Sequence, residues 1–432
     1  MIMAMIRPET EMKDTGIEWI GNIPSSWVCC KQKYVISLIN GRAFKDTEFE
    51  EDGKYRILRV GNLFSNPKWY SSNLELEDDK YCDNGDLLYA WSMSYGPYIW
   101  NGEKVIYHYH IWKAKLLNNL SKRFAYYYLI ALSDSIKSDV HETTMSFITM
   151  KSMNNSYIAF PEDIFEQQAI ADYLDETCSK IDEIIAEAKA SIDEYKELKQ
   201  SVIFEAVTKG LDKNVEMKDS GVEWIGEIPV DWNIAKINRV AWTTSGATPL
   251  RSKETEYYDN AVIRWVRTLD LNNGHVTDSS EKITETALKN SSCSIMPVKT
   301  VCVAMYGGSG TIGKSGILEV ECATNQAICS IVSDKKVLNP DYLHYVIMAV
   351  RKYWMKYAVG TRKDPNINQQ IIAQMRIPIP QLSKQDIIVN HLDKVTDKCD
   401  SLISEKESLI NDLEAYKKSL IYEVVTGKRR VV

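Results

Sequence analysis

Met12 to Trp27 reads MKDTGIEWIGNIPSSW, and Met217 to Trp232 reads MKDSGVEWIGEIPVDW. Most positions are identical across the offset of 205 residues, which chance does not produce. A second repeat closes each half. QAIADYLDETCSKIDEIIAEA from Gln168 parallels DIIVNHLDKVTDKCDSLISEK from Asp386, and SVIFEAVT at Ser201 parallels SLIYEVVT at Ser419, an offset of 218. The second middle segment is therefore longer by 13 residues. The chain is one unit written twice: a tag, a divergent middle, then a long tail. That pattern demands a two-part molecule with a shared frame and two different inserts.

The repeated tails read as helices. Ile170, Leu174, Ile181, Ile184 and Ala188 in the first, and Ile388, Leu392, Val395, Cys399 and Leu402 in the second, keep spacings of three and four. Such a seam suits a coiled coil. Pro161 and Pro380 precede the tails, and Gly210 and Gly427 follow them, as start and stop residues do. Each helix should run about 45 residues, or about 67 Å.

The middles carry strand alternation and one helix each, so the fold class is α/β. Strands are expected over Tyr55–Phe64, Gly85–Trp91 and Lys104–Leu117, and over Ala261–Leu271, Thr300–Tyr306 and Asn325–Val332. Helices are expected around Lys122–Ser133 and Pro340–Tyr357. The resulting division is 1–160 with its tag 12–27, a central helix 161–211, 212–379 with its tag 217–232, and a C-terminal helix 380–432. Tag tryptophans Trp19, Trp27, Trp224 and Trp232 suit anchors between frame and insert.

The formal net charge of −7 argues at first against a polyanionic partner, but the charge is segregated. Residues 233–379 hold 18 Lys and Arg against 12 Asp and Glu, residues 28–160 hold 16 against 15, and residues 162–198 hold 3 against 12. The acid lies on the first helix, and the second middle is basic enough to meet phosphate. The nine cysteines form no Cys-x-x-Cys pair, so reduced, buried thiols in a cytoplasm are expected rather than disulfides or zinc. His108, His141, His275, His344 and His391 lack clustered ligand partners and read as structural. No apolar run spans a bilayer, and the opening MIMAMI is too short for a secretory core.

Residues 307–315, GGSGTIGKS, complete a nucleotide-binding P-loop pattern with Gly308, Gly313, Lys314 and Ser315. A working P-loop must open a helix, whose N-terminus holds the phosphates. The following GILEVECATNQAICSIV instead reads as strand, so the glycines are expected to make a turn between strands. The corresponding turn of the first half is WSMSYGPYIW, Trp91 to Trp100, with no Gly-Lys-Ser.

Taken together, MKDxGxEWIGxIPxxW before each middle, GTIGK in a strand-to-strand turn, ATNQAI after it, and proline then glutamine opening a long helix resemble the specificity (S) subunit of type I restriction-modification systems. The resemblance covers nearly the whole chain, twice. The first middle departs from it, with SYGPYIW and WNGEKVIYHYHIW in place of GTIGK and ATNQAI. The resemblance implies two globular target recognition domains joined by two helices, paired as an antiparallel coiled coil with pseudo-two-fold symmetry. Each domain would read one half of an asymmetric, split site on double-stranded DNA, and the helices would set the spacer. No Asn-Pro-Pro-Tyr or Asp-Pro-Pro-Tyr tetrapeptide is present, so chemistry is expected on partners. By resemblance these are two methyltransferase (M) subunits using S-adenosylmethionine, docked on the acidic helices, and two motor-nuclease (R) subunits using ATP and Mg. The chain itself would bind no cofactor and catalyse nothing.

Candidate DNA-reading residues follow from side-chain chemistry. In the second middle they are Arg264, Arg267, Lys314, Arg362 and Lys363, with Asn325 and Gln326 either reading a base or capping a turn. In the first they are Arg56, Arg59, Tyr95 and His110, with Thr143 matching Thr361. Two rival readings remain: a P-loop ATPase dependent on Lys314, and a coiled-coil scaffold carrying two inert domains.

Overall fold

The computed structural model describes residues 5–64, 66–92, 95–139, 148–307, 310–360 and 365–431. The chain forms two compact units, Met1–Ala188 with Glu407–Val432, and Lys189–Lys406.

In the first unit one sheet runs in the order Gly96–Ile99, Leu87–Ala90, Ile111–Leu116, Ile36–Asn40, antiparallel throughout. A second sheet runs Tyr70–Ser72, Tyr55–Leu58, Val105–Tyr107, Tyr81–Cys82, and its central pair is parallel. Leu58, Cys82, Leu88, Val105, Tyr107 and Ile111 bury a core shared by both sheets. The second unit repeats this order. Ala241–Ser245, Ile328–Ser333, Val301–Ala304 and Ser315–Leu318 form the first sheet, with Gly274–Val276 added at its edge. Lys282–Ile283, Ile263–Val266, Cys322–Thr324 and Ile295–Met296 form the second, again with a parallel central pair. The middles diverge in sequence yet share one topology, because a ladder needs backbone amides and buried apolar faces rather than particular side chains.

Four expected strands need correction. Asn325–Val332 is strand only from Ile328, because Asn325–Ala327 form a turn that Ile328 N closes on Asn325 O at 3.1 Å. Tyr55–Phe64 is strand only to Leu58, and Val60–Phe64 is helical. The backbone N–H of Arg59 donates to Asn62 Oδ1 at 3.1 Å, which turns the chain. Ala261–Leu271 likewise ends as strand at Val266 and continues as a 3-10 turn, Thr268–Asp270, where Arg267 N donates to Asp270 Oδ2 at 2.7 Å. Lys104–Leu117 is two strands in different sheets, broken at His108–His110. The expected helices are observed at Lys122–Asp139 and Pro340–Val350, the latter followed by shorter helical turns to Tyr357.

The long helices span Ile164–Lys209 and Leu382–Val425, 46 and 44 residues. Each opens on a buried glutamine that ties the helix to its unit. Gln167 Nε2 donates to Pro161 O at 2.8 Å while its Oε1 accepts from Ser121 N at 2.7 Å. Gln385 repeats this with Pro380 O at 2.8 Å and Asn339 N at 2.8 Å. Gly210 and Gly427 follow the helices at φ +76° and +73°, in the left-handed region where glycine is favoured. They pack on Trp232 and on Pro24 and Trp27. Trp27, Trp224 and Trp232 are buried, and half-buried Trp19 meets Tyr128 edge-on at 5.5 Å. Within the first unit Lys417 Nζ lies 2.6 Å from Asp182, and within the second Lys199 Nζ lies 2.6 Å from Asp400, so each unit holds a rung between helical segments. The nine cysteines are free, and all but half-buried Cys29 and Cys30 are buried. No helix among the described residues is long and apolar enough to cross a membrane.

Candidate nucleic-acid interface

In the second unit, loops converge where the parallel strands Ile263–Val266 and Cys322–Thr324 end. Asn325 N donates to Val266 O at 3.0 Å, Ala247 N to Thr324 O at 3.0 Å, and Met305 N to Ala327 O at 2.8 Å. Ile367 N then donates to Met305 O at 3.0 Å, which brings the hairpin strands Val359–Gly360 and Pro365–Asn366 to the same end. Gly246 must be glycine here, because a Cβ would collide with the Thr324 carbonyl.

The first unit has the same hydrogen bonds between unlike residues. His108 N donates to Leu58 O at 2.9 Å, Arg42 N to Tyr107 O at 3.0 Å, Trp91 N to His110 O at 3.1 Å, and Ile148 N to Trp91 O at 3.0 Å. The turn closes with Ile111 N on His108 O at 2.9 Å, as Ile328 N closes on Asn325 O at 3.1 Å. Gly41 meets the Tyr107 carbonyl as Gly246 meets Thr324. His108-Tyr109-His110 thus stands where Asn325-Gln326-Ala327 stands, and Arg59 stands where Arg267 does.

The expected residues fall into distinct settings. Arg264 pairs with Asp278 at 3.0 Å, and Arg267 pairs with Glu281 at 2.8 Å and Ser280 Oγ at 3.0 Å. Glu281 also receives both nitrogens of Arg251, at 2.6 and 2.7 Å, and this pairing leads the causes that hold its carboxyl below the usual range. Arg251 lies over the Tyr258 ring at 4.2 Å, and Arg267 Nε is buried without a hydrogen-bond partner among the described residues. Half-buried Lys314 has no ion pair among the described residues. Asn325 does cap a turn, its Oδ1 accepting from Ala327 N at 3.2 Å, while exposed Gln326 accepts from the Thr248 hydroxyl.

In the first unit Arg56 and Arg59 do not share a surface. Arg56 lies over Trp69 and pairs with Glu103 at 3.3 Å, whereas Arg59 lies over Tyr70, on the opposite face of the sheet. Arg59 belongs with His108 and His110. Burial first, then His110 and Arg59, hold the His108 ring neutral, its pKa pushed down to about 4. His110 is shifted down as well, by burial and then Arg59. Half-buried Tyr95 is shifted up by burial and by Asp134. Thr143, Thr361, Arg362 and Lys363 lie outside the described residues, as does His141. Tyr109, His108, Arg42, Arg251 and Thr248 are not among the DNA-reading candidates taken from sequence, where His108 reads as structural. Laying YHYHI on TNQAI, ending at Ile111 and Ile328, would have found the first two.

The Gly-Lys-Ser segment leads into the strand Ser315–Leu318, which pairs antiparallel with Val301–Ala304. Gly313 sits at φ +72°, where a Cβ would strike Trp354. Lys314 N closes the turn on Thr311 O at 2.9 Å, so the segment runs into a strand and does not open a helix. Among the described residues no His, Cys, Asp and Glu group could hold a metal ion.

The profile of the family described as type I restriction modification DNA specificity domain matches residues 24–194 and again 229–412. The type I restriction enzyme EcoBI specificity subunit of Escherichia coli is 22% identical over 97% of this chain and 89% of its own length. The MjaVIII specificity subunit of Methanocaldococcus jannaschii is 24% identical over 81% of this chain and 80% of its own. A solved structure described as showing complex assembly and conformational transition of the type I R-M system contains a chain with the same fold, at TM-score 0.69 and 12% identity, covering 94% of this chain and 99% of that one. Matched in both halves, this chain belongs to the type I restriction-modification DNA specificity subunit family.

Proposed function

We propose that the chain is the DNA-recognition subunit of a type I restriction-modification complex, reading one half of an asymmetric split site with each reader, residues 1–160 and 212–379. The observation that carries this reading is the repeated turn. One backbone frame presents His108-Tyr109-His110 in one unit and Asn325-Gln326-Ala327 in the other. A shared frame with different polar tips suits two half-sites of different sequence, since hydrogen bonds to base edges specify sequence.

The helices at residues 161–211 and 380–432 pair as an antiparallel coiled coil and set the spacer. The two interhelical ion pairs support this, since Asp182 meets Lys417 and Lys199 meets Asp400, in opposite sequence order. The acidic helix docks two methyltransferase subunits, and two motor-nuclease subunits complete the complex in the cytoplasm. The chain performs no chemistry; S-adenosylmethionine, ATP and Mg bind those partners. A Gly-rich turn that runs into a strand supports this over ATP binding.

The test is to express the partner methyltransferase with and without this chain and to map N6-methyladenine across the genome. A split, asymmetric motif present only with the chain is expected. An active methyltransferase that shows no such motif contradicts the reading.

A further inference from the structure

The turn of the first unit carries more aromatic surface than its counterpart. Tyr109 is 39% exposed, yet its backbone is fixed on both sides. Its N–H donates to Arg42 O at 3.0 Å, and its carbonyl accepts from Trp91 Nε1 at 2.7 Å. Behind it, Tyr89 stacks on Trp112 at 5.8 Å and Trp112 on Trp91 at 5.9 Å. Trp91 meets His110 edge-on at 4.9 Å, and the Tyr109 ring lies 4.0 Å from His110 and 4.5 Å from His108. A column of rings runs from the core to the tip of this turn. Such backing restricts the motion of Tyr109, and a rigid reader loses little entropy on binding.

The equivalent position in the second unit is Gln326, also exposed. Its Oε1 is occupied by the Thr248 hydroxyl, which leaves its amide N–H groups to face a base. Tyr109 presents a hydroxyl, donor and acceptor at once, with no partner among the described residues.

We propose that Tyr109 is the specificity-determining residue of the first unit, reading a base edge of duplex DNA through its hydroxyl, as Gln326 does through its amide in the second unit. This assignment rests on the functional reading above. His108 and His110 act as positioning residues. Their rings flank Tyr109, and the neutral His108 Nδ1 accepts from His110 N at 3.5 Å.

The experiment compares the methylation motif of the assembled complex carrying the unaltered chain, Tyr109→Phe, Tyr109→Ala or Gln326→Ala. Tyr109→Phe keeps the ring column and removes only the hydroxyl, so folding is preserved. It should make one base of one half-site degenerate, with preference for that base falling about tenfold. The other half and the spacer should stay unchanged. Gln326→Ala should relax a base in the opposite half. If both Tyr109 variants keep the unaltered motif, the assignment is overturned while the functional reading stands. It is also overturned if Tyr109→Phe and Gln326→Ala relax the same half. If the unaltered complex methylates without any motif, both the functional reading and this assignment fall.

Discussion

Arg267 Nη1 lies 2.8 Å from Glu281, the same carboxylate that Arg251 grips with two nitrogens. Two candidate phosphate or guanine contacts of the second unit are therefore tied to one acid. Glu281→Gln should release part of that restraint and remove a charge that repels DNA. The slope of binding affinity against salt should steepen by about one counterion. The second unit should lose roughly 1–3 kcal/mol, because Glu281 is partly buried between its arginines. Titrations of the assembled complex at stepped salt decide it, and an unchanged slope contradicts the placement of these arginines at DNA.

Lys314 separates the DNA reading from the ATPase reading. Lys314→Ala should lower affinity across all sequences and flatten the salt slope by about one. It should leave the ATP turnover of the complete complex intact. Turnover lost with assembly intact would revive the nucleotide site.

Gln385 bridges the Pro380 and Val337 carbonyls and the Asn339 amide from a fully buried position. Gln385→Ala leaves those groups unsatisfied and should cost roughly 1–3 kcal/mol in denaturant unfolding. Lys384→Ala, one residue earlier, half-buried and ion-paired with Asp231, should cost under about 1 kcal/mol. Equal effects would contradict the bracing role of the glutamine.

His344 is buried in the helix Pro340–Val350 with no hydrogen-bond partner for Nε2 among the described residues, and burial pushes its pKa from 6.5 down to about 3. The unfolded chain therefore binds this proton more readily between those values, and stability falls as pH falls through that window. His344→Gln removes the titration. From pH 7 to pH 5 the unaltered chain should lose about 2 kcal/mol more than the variant. Parallel stability curves would contradict it.

The frame was legible in the sequence because it is repeated. Tag and tail recur as text, and Pro161, Pro380, Gly210 and Gly427 mark helix ends by backbone chemistry that needs no tertiary context. The P-loop pattern resolved for a local reason too, since strand-forming residues follow Ser315. The site was less legible. His108 and Asn325 share no side-chain chemistry, and what equates them is an amide donating to Leu58 in one unit and Val266 in the other. Arg56 and Arg59 are both DNA-reading candidates by side-chain chemistry, but the strand that ends at Leu58 places them on opposite faces, which chemistry alone does not reveal. The carboxylates that hold Arg264 and Arg267 come from Asp278 and Glu281, 14 residues along the chain in each case, so spacing alone does not reveal them.

The central claim is that each half of the chain reads one half of a DNA site. The most direct measurement replaces residues 28–160 with the matching segment of a relative and maps N6-methyladenine in cells expressing the partner methyltransferase. The account predicts a new sequence in one half of the motif, with the other half and the spacer unchanged. A motif altered in both halves, or in neither, would contradict it.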